Sequence, residues 1–307
     1  MDVVFWKELG DHFSSRRFMI LLAIIVLTGV WAIYASGQSI RQEAEGIPTD
    51  FVFLLLLTSQ SGGLLSLATF IGLLGPLVGI MLGFDAISGE YARGTLSRVL
   101  SQPIYRDSLI NGKFLAGLAT VAILWASILL LVIGLGITLV GFPPNAEELW
   151  RMLIFTLVGI FYVGFWLALA LLFSLLFQRT VTAALGSLAL WLFLAIFAPL
   201  IAQVVAGFIV PNPSTAVELT RQADIASIIS RISPSTLFGE SVNILLNPTA
   251  RLLGIALPEQ TQGILLTPLA LGQSLLLILP QVTTLFALVA VCFGISYIKF
   301  MRSEIRA

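Results

Sequence analysis

Apolar runs long enough to cross a bilayer alternate with short polar stretches along this chain. A spanning helix needs about 20 predominantly apolar residues. Six segments meet that length, at roughly 18–36, 64–84, 114–140, 152–177, 181–210 and 272–298. The third and fifth exceed the bilayer thickness, so they are expected to tilt or kink. Phe51–Leu57 is apolar but too short to span, and a polar break from Thr58 to Gly63 follows it. It reads as an outer-surface or re-entrant piece. The pattern predicts an all-α integral membrane fold, a single transmembrane domain over 1–307 with six transmembrane helices.

The stretches between the runs carry their own periodicity. In residues 1–17, Val3, Trp6, Leu9 and Phe13 recur at helical spacing, with Lys7, Glu8, Asp11 and Arg16 largely elsewhere on the wheel. That predicts an amphipathic helix lying on the inner membrane face. In 211–271, Ile225, Ile228, Ile229 and Ile232 repeat at i, i+3, i+4 and i+7, and Ser233 to Ser235 then breaks the helix. Thr236–Leu246 reads as a second short helix stopped by Asn247 and Pro248. Helical hairpins on the outer mouth of the bundle are expected. Within the second run, Gly75, Gly79 and Gly83 fall four apart beside Pro76. A stripe of small residues lets another helix approach closely, at a dimer contact or along a pathway through the bundle.

Composition agrees with the runs. The chain is 58% hydrophobic and only 10% charged, where a soluble domain carries about 25% charge. Mean hydropathy is +1.02. The formal net charge is zero, so no electrostatic argument for nucleic acid arises. Lysine and arginine assign the orientation. With both termini in the cytosol, eleven of the sixteen basic residues lie inside and five outside, as the positive-inside rule requires. Ser15-Arg16-Arg17-Phe18 before an apolar run has the outline of a twin-arginine export signal. The run from Phe18 to Ala35 is longer than a cleavable core and lacks a convincing cleavage site, so it reads as the first span.

Several chemistries lack their residues. One cysteine, Cys292, and one histidine, His12, stand far apart, which excludes an intrachain disulfide, a multi-cysteine metal site and a Cys/His catalytic pair. Neither Asp, Glu, Lys, Arg nor His falls within the six assigned runs, whereas ion-coupled transporters need such groups at mid-membrane depth. Gln203, Gln273 and Gln281 are the most polar residues in or near the runs and suit interhelical hydrogen bonds. Gly112-Lys113 is followed by Phe114 and lacks the upstream glycine of a phosphate-binding loop.

Such a bundle takes its energy from another protein or conducts passively. The polar segment 85–113 then becomes the informative one. Asp85, Ser88 and Glu90 place acidic and capping groups at a helix start. Ile87, Tyr91, Leu96, Val99 and Leu100 give it an apolar side, Gln102-Pro103 ends it, and Arg106-Asp107 turns into the next helix with Lys113 where that helix meets the membrane. The segment is a candidate docking surface in which Glu90 and Arg93 make polar contacts and Leu96, Val99 and Leu100 apolar ones. Gly94 permits close approach or a bend, and Thr95 can cap the turn.

The spacing Glu90-x-x-x-Gly94-Thr95-Leu96, then Leu100-Ser101-Gln102-Pro103-Ile104-x-Arg106 and Gly112-Lys113, closely resembles the inner loop of ABC-2 type transporter permeases. Lys7-Glu8, Arg16-Arg17 and Ile232 to Phe238 also look like the family's surface helix and outer segment. The likeness covers essentially the whole chain and is specific in 85–113. It implies a permease that works as a homodimer or heterodimer in the inner or plasma membrane. A separate ATP-binding cassette subunit would bind ATP and Mg, and this chain would bind no cofactor. Segment 85–110 would be the coupling helix seated on that ATPase, its interface formed by Asp85, Glu90, Arg93, Gly94, Thr95, Leu96, Val99, Leu100, Pro103 and Arg106. Export is the family's usual direction, and its cargoes are too diverse to fix one here. The competing reading is a passive or ion-coupled transporter or channel. An ATPase with Walker motifs encoded nearby would favour the first.

Overall fold

The computed structural model describes residues 2–42, 51–60, 65–95, 105–248 and 269–302. Regular structure among these residues is helical throughout. The elements are α1 (Asp2–Ser14), α2 (Arg16–Gln42), α3 (Val52–Thr58), α4 (Leu67–Gly83), α5 (Ser88–Ala92), α6 (Arg106–Val140) and α7 (Ala146–Leu176). They continue as α8 (Thr180–Leu192), a π-helical turn (Phe193–Phe197), α9 (Ala198–Ile209), α10 (Ala216–Ser230), α11 (Pro234–Leu246) and α12 (Leu271–Arg302).

Among the described residues, five stretches are long and apolar enough to cross a membrane: Arg16–Ile40, Arg106–Val140, Ala146–Leu176, Thr180–Ile209 and Leu271–Arg302. The run expected at 64–84 is shorter as a helix. Ser66 caps it by accepting from Thr69 N, leaving the 17 residues of α4. At 1.5 Å per residue that is about 26 Å, somewhat under the hydrocarbon thickness of a bilayer. The long fifth run is divided by the π turn, and Pro199 opens the regular helix after it.

The core is built around α7. Two thirds of its apolar window is buried (67%), against 17–28% for the other four stretches. Its N-terminus is set by a capping box, in which Glu148 N donates to Asn145 Oδ1 and Asn145 N to Glu148 Oε2. Small residues such as Ala168 and Ala170 alternate with Tyr162 and Trp166, all without exposed surface, so α4, α6, α11 and α12 pack around one helix.

Charged contacts sort the helix ends into two groups. Glu8 of α1, the start of α2, the end of α4, α5 and the start of α6 meet at one end. Ser174, near the end of α7, reaches α5 there. The start of α7, α3, the end of α11 and the start of α12 meet at the other. Because α12 runs alongside α7 from Ser274 near Arg151, both described chain ends lie at the first end.

Three short elements take definite places. The short apolar piece at 51–57 is a buried helix, with Phe53 N donating to Glu148 Oε1 at 2.8 Å. The isoleucine stripe of 225–232 does not face the chain's own core. Ile228 and Ile232 are exposed, and α10 packs mainly on α9. It is α11 that inserts, burying Leu237, Phe238, Leu245 and Leu246.

Candidate functional site

The sequence places its candidate site just after α4. Four turn residues follow that helix, and α5 then spans only Ser88–Ala92. Ser174 of α7 holds it, accepting from Ile87 N (3.0 Å) and Ser88 N (2.9 Å) and donating to Ser88 Oγ (3.1 Å). The helix stops at Gly94, whose φ of +64° suits a residue without a β-carbon. Gly94 N donates to Tyr91 O and Thr95 N to Glu90 O, both at 3.0 Å, which satisfies carbonyls of the last turn. The expected helix to Gln102 is thus a five-residue helix over its described part. Leu96, Val99, Leu100 and Pro103 lie outside the described residues.

Behind α5 sits a buried ion triad that joins three elements. Lys113, in the second turn-pair of α6, is 5% exposed at its side chain. Its Nζ is 2.8 Å from Glu8 Oε1 of α1 and 2.8 Å from Glu90 Oε1 of α5. Gly112 makes room for this. A β-carbon there would come within 2.9 Å of Val4 Cγ1, so its absence lets α1 lie against α6. Glu90 therefore turns inward rather than to the surface. Its Oε2 is buried with no hydrogen-bond partner.

Around the triad lies a cavity of about 250 Å³, lined on its polar side by Lys7, His12, Arg17, Asp85 and Arg93. Arg17 is 3.6 Å from Asp85 and lies over the Phe84 ring. Lys7 pairs with Asp11 at 3.0 Å. Arg93 is exposed on the rim, and Arg106 is half-buried at the first residue of α6. On α1, Val3 and Trp6 point away from the bundle, while Val4, Glu8 and His12 face it.

The charges respond to this packing. Burial opposes ionisation of Glu8, but Lys113, with Lys7 behind it, outweighs that and holds the carboxyl below its usual range. Burial pushes the His12 imidazole down and the Asp85 carboxyl up, the latter against Arg17 and Arg93. The attachment of α1 should therefore weaken on acidification. Glu8 contributes stability at neutral pH that is lost as pH falls through its lowered value. His12 must charge against burial once pH falls below the ordinary imidazole range, so it carries the weakening between pH 7 and pH 5, and Glu8 adds to it only below the ordinary carboxylate range. Asp85 acts oppositely, but its partner Arg17 is on α2. Protection factors across α1, taken relative to the slower intrinsic exchange at lower pH, should be smaller at pH 5 than at pH 7, with those across α7 unchanged.

The glycine stripe also finds its partner within the chain. A β-carbon on Gly79 would lie 2.5 Å from Val163 O, and one on Gly83 2.7 Å from Leu167 O. Gly75 meets the Val163 side chain at 3.0 Å. Gly75, Gly79 and Gly83 thus seat α4 on α7 of the same subunit.

Two clusters escaped the sequence reading. Lys113 looked like a membrane-boundary anchor, and nothing in its spacing shows two carboxylates converging from 23 and 105 residues away. Arg151 looked like an outer-loop charge. It is fully buried, donating to Leu245 O (2.9 Å), Ser274 Oγ (3.1 Å), Leu269 O and Glu147 Oε1 (2.8 Å). The capping signature Asn145-x-x-Glu148 was the one local hint that the helix begins before Arg151. Gln281 does make an interhelical bond, to Glu240 Oε2 of α11 at 3.0 Å.

Comparison with known proteins bears on this geometry. The family model described as ABC-2 family transporter protein matches residues 3–305. A probable ABC transporter permease protein NosY of Pseudomonas aeruginosa is 32% identical over 109 residues, 36% of this chain and 35% of that protein. The protein of the same description from Stutzerimonas stutzeri is 33% identical over 108 residues, 35% of each. The chain thus spans about a third of the length of these curated relatives in the matched stretch.

Proposed function

This chain belongs to the ABC-2 family of transporter proteins, and on that premise we propose that it is the permease subunit of an exporter driven by ATP hydrolysis on a separate cassette subunit. The observation that carries the reading is the family match across nearly the whole chain. In this reading α4 is the second of six spans, despite its length, and both termini are cytosolic. The basic residues support that side. Lys7, Arg16, Arg17, Arg93, Arg106, Lys113, Arg179, Lys299 and Arg302 all belong to the end of the bundle that carries α1 and α5. Apolar side chains of α1 that point away from the bundle, Val3 and Trp6, then rest on the inner leaflet.

The coupling surface is the segment from Asp85 onward. Asp85, Arg93, Gly94, Thr95 and Arg106 offer contacts to the cassette subunit, and Leu96, Val99, Leu100 and Pro103 its apolar anchors. Glu90 acts from behind, fixing α5 to α6 through Lys113. A helix with a charged rim and a few apolar anchors is how helix-in-groove recognition works. ATP and Mg reside on the partner, since this chain has no phosphate-binding loop. A second permease subunit completes the pathway, identical or related.

The test is co-purification with a candidate cassette ATPase carrying Walker motifs. The complex should hydrolyse ATP, and the permease chain alone should not. Turnover by a preparation free of that subunit, or failure of the two to associate, would contradict the reading.

A further inference from the structure

At the end of the bundle opposite the ion triad lies a second, larger cavity of about 460 Å³. Its walls come from Thr58 and Gln60 at the end of α3, from Ser66 and the first turns of α4, from the α8–π junction and from α11. Seven side chains with hydrogen-bonding amides or hydroxyls face it: Thr58, Gln60, Ser66, Thr69, Ser235, Asn243 and Asn247. None of the described residues that line it carries a formal charge. Two aromatic rings, Trp191 and Phe238, provide apolar wall.

The polar groups keep capacity for a ligand. Thr58 and Ser66 use their hydroxyls on Leu54 O and Thr69, which leaves lone pairs to accept. Asn247 Nδ2 donates to Asn243 Oδ1 at 3.0 Å, a pair that retains one amide oxygen and one amide nitrogen. The floor is fixed beforehand. Tyr162 OH donates to Gly72 O at 2.8 Å and bonds Ser235 Oγ at 3.0 Å, and its ring stacks on Phe238 at 4.4 Å. Ala195, within the π turn, closes one side. Single π turns inside α-helices recur at functional sites.

We infer that this cavity binds an uncharged, hydroxyl- or amide-bearing compound with an apolar face. An ion entering it would shed water without meeting an opposite charge, which is costly. A wholly apolar ligand would take water from seven hydrogen-bonding side chains, Ser235 included, and leave the capacity that their internal bonds do not use unmet. A neutral ligand of sugar or polyol type satisfies both constraints, its polar edge to the amides and hydroxyls and its flat side to Trp191 and Phe238. That such a ligand is the cargo rests on the transporter reading. That it binds does not.

The test uses the permease chain alone in lipid nanodiscs, with three probes that share a nitrophenyl group. Nitroaromatics quench tryptophan, and subtracting a Trp191→Phe variant isolates the wall residue. 4-Nitrophenyl β-glucoside should quench the Trp191 signal saturably. 4-Nitrophenyl phosphate and 4-nitrobenzyl trimethylammonium should bind at least about tenfold more weakly. Asn243 is exposed, so Asn243→Asp should fold, strengthen the cation and weaken the phosphate. Equal binding of charged and neutral probes, an unchanged order in Asn243→Asp, or no saturable Trp191 quenching by the glucoside would overturn the inference. Because no ATPase is present, these outcomes leave the coupling proposal untouched, and loss of coupling leaves the cavity untouched.

Discussion

Gly79→Leu should prevent the bundle from assembling, while a leucine at many lipid-facing positions would pass unnoticed. At Gly79 even the first side-chain carbon would sit 2.5 Å from Val163 O, 2.9 Å from Leu167 N and 2.9 Å from Trp166 Cβ. Two of those three atoms are backbone of α7, the most buried helix in the fold, so they cannot step aside as a flexible side chain would. Overpacking typically costs about 1–3 kcal/mol and more where nothing can relax. In a membrane, where helices associate through close packing rather than hydrophobic burial, lost approach is not recovered elsewhere. The alanine series should be graded. Gly79→Ala and Gly83→Ala meet backbone and should be the most damaging, and Gly75→Ala meets Val163 Cγ2 at 3.0 Å and should be milder. Thermal denaturation followed by size-exclusion in mild detergent measures this. A Gly79→Leu protein with a wild-type profile would mean that α4 and α7 do not meet along this stripe.

Much of this architecture was legible from residue type and spacing, and the limits are physical. Length and apolarity locate helices well because the bilayer demands both. The glycine spacing announces a close approach but not its partner, and α7 of the same subunit takes the place where a dimer contact or pathway was expected. Periodicity marks an apolar face without saying what covers it. The isoleucine stripe of α10 leaves Ile228 and Ile232 exposed, while α11, with Leu237 and Phe238 facing inward, does the inserting. Counting charges within runs missed Arg151 and Lys113, since both sit a turn or two inside helices that begin earlier than their apolar runs do, at Ala146 and Arg106. A helix that extends beyond its apolar run carries its flanking charges with it, and tertiary pairing then buries them.

Lys113→Met should be the most damaging of the changes at the opposite, basic end of the bundle. One ammonium serves two carboxylates there, each 2.8 Å away, with Lys113 and Glu90 almost fully buried. Removing it strands both acids, and breaking a buried pair this way costs about 3–5 kcal/mol. Neutralising one acid is gentler because Lys113 keeps the other. The two acids are not equivalent. Glu90 Oε2 is already buried without a partner, so Glu90→Gln would add an amide there whose hydrogens also lack acceptors. Glu8 is the more exposed and has Lys7 3.3 Å away as a second cation. The expected order of damage is Lys113→Met, then Glu90→Gln, then Glu8→Gln. Hydrogen exchange should rise in α1 and α5 for Lys113→Met, because the triad links both to α6, and remain low in α7, whose core contacts are elsewhere. If segment 85–110 is the coupling surface, the same variant should insert in the membrane normally yet retain the cassette ATPase at least about tenfold more weakly. Wild-type exchange in α1 and α5 would show that the triad does not hold this platform. Raised exchange with undiminished ATPase binding would place the coupling surface elsewhere on the chain.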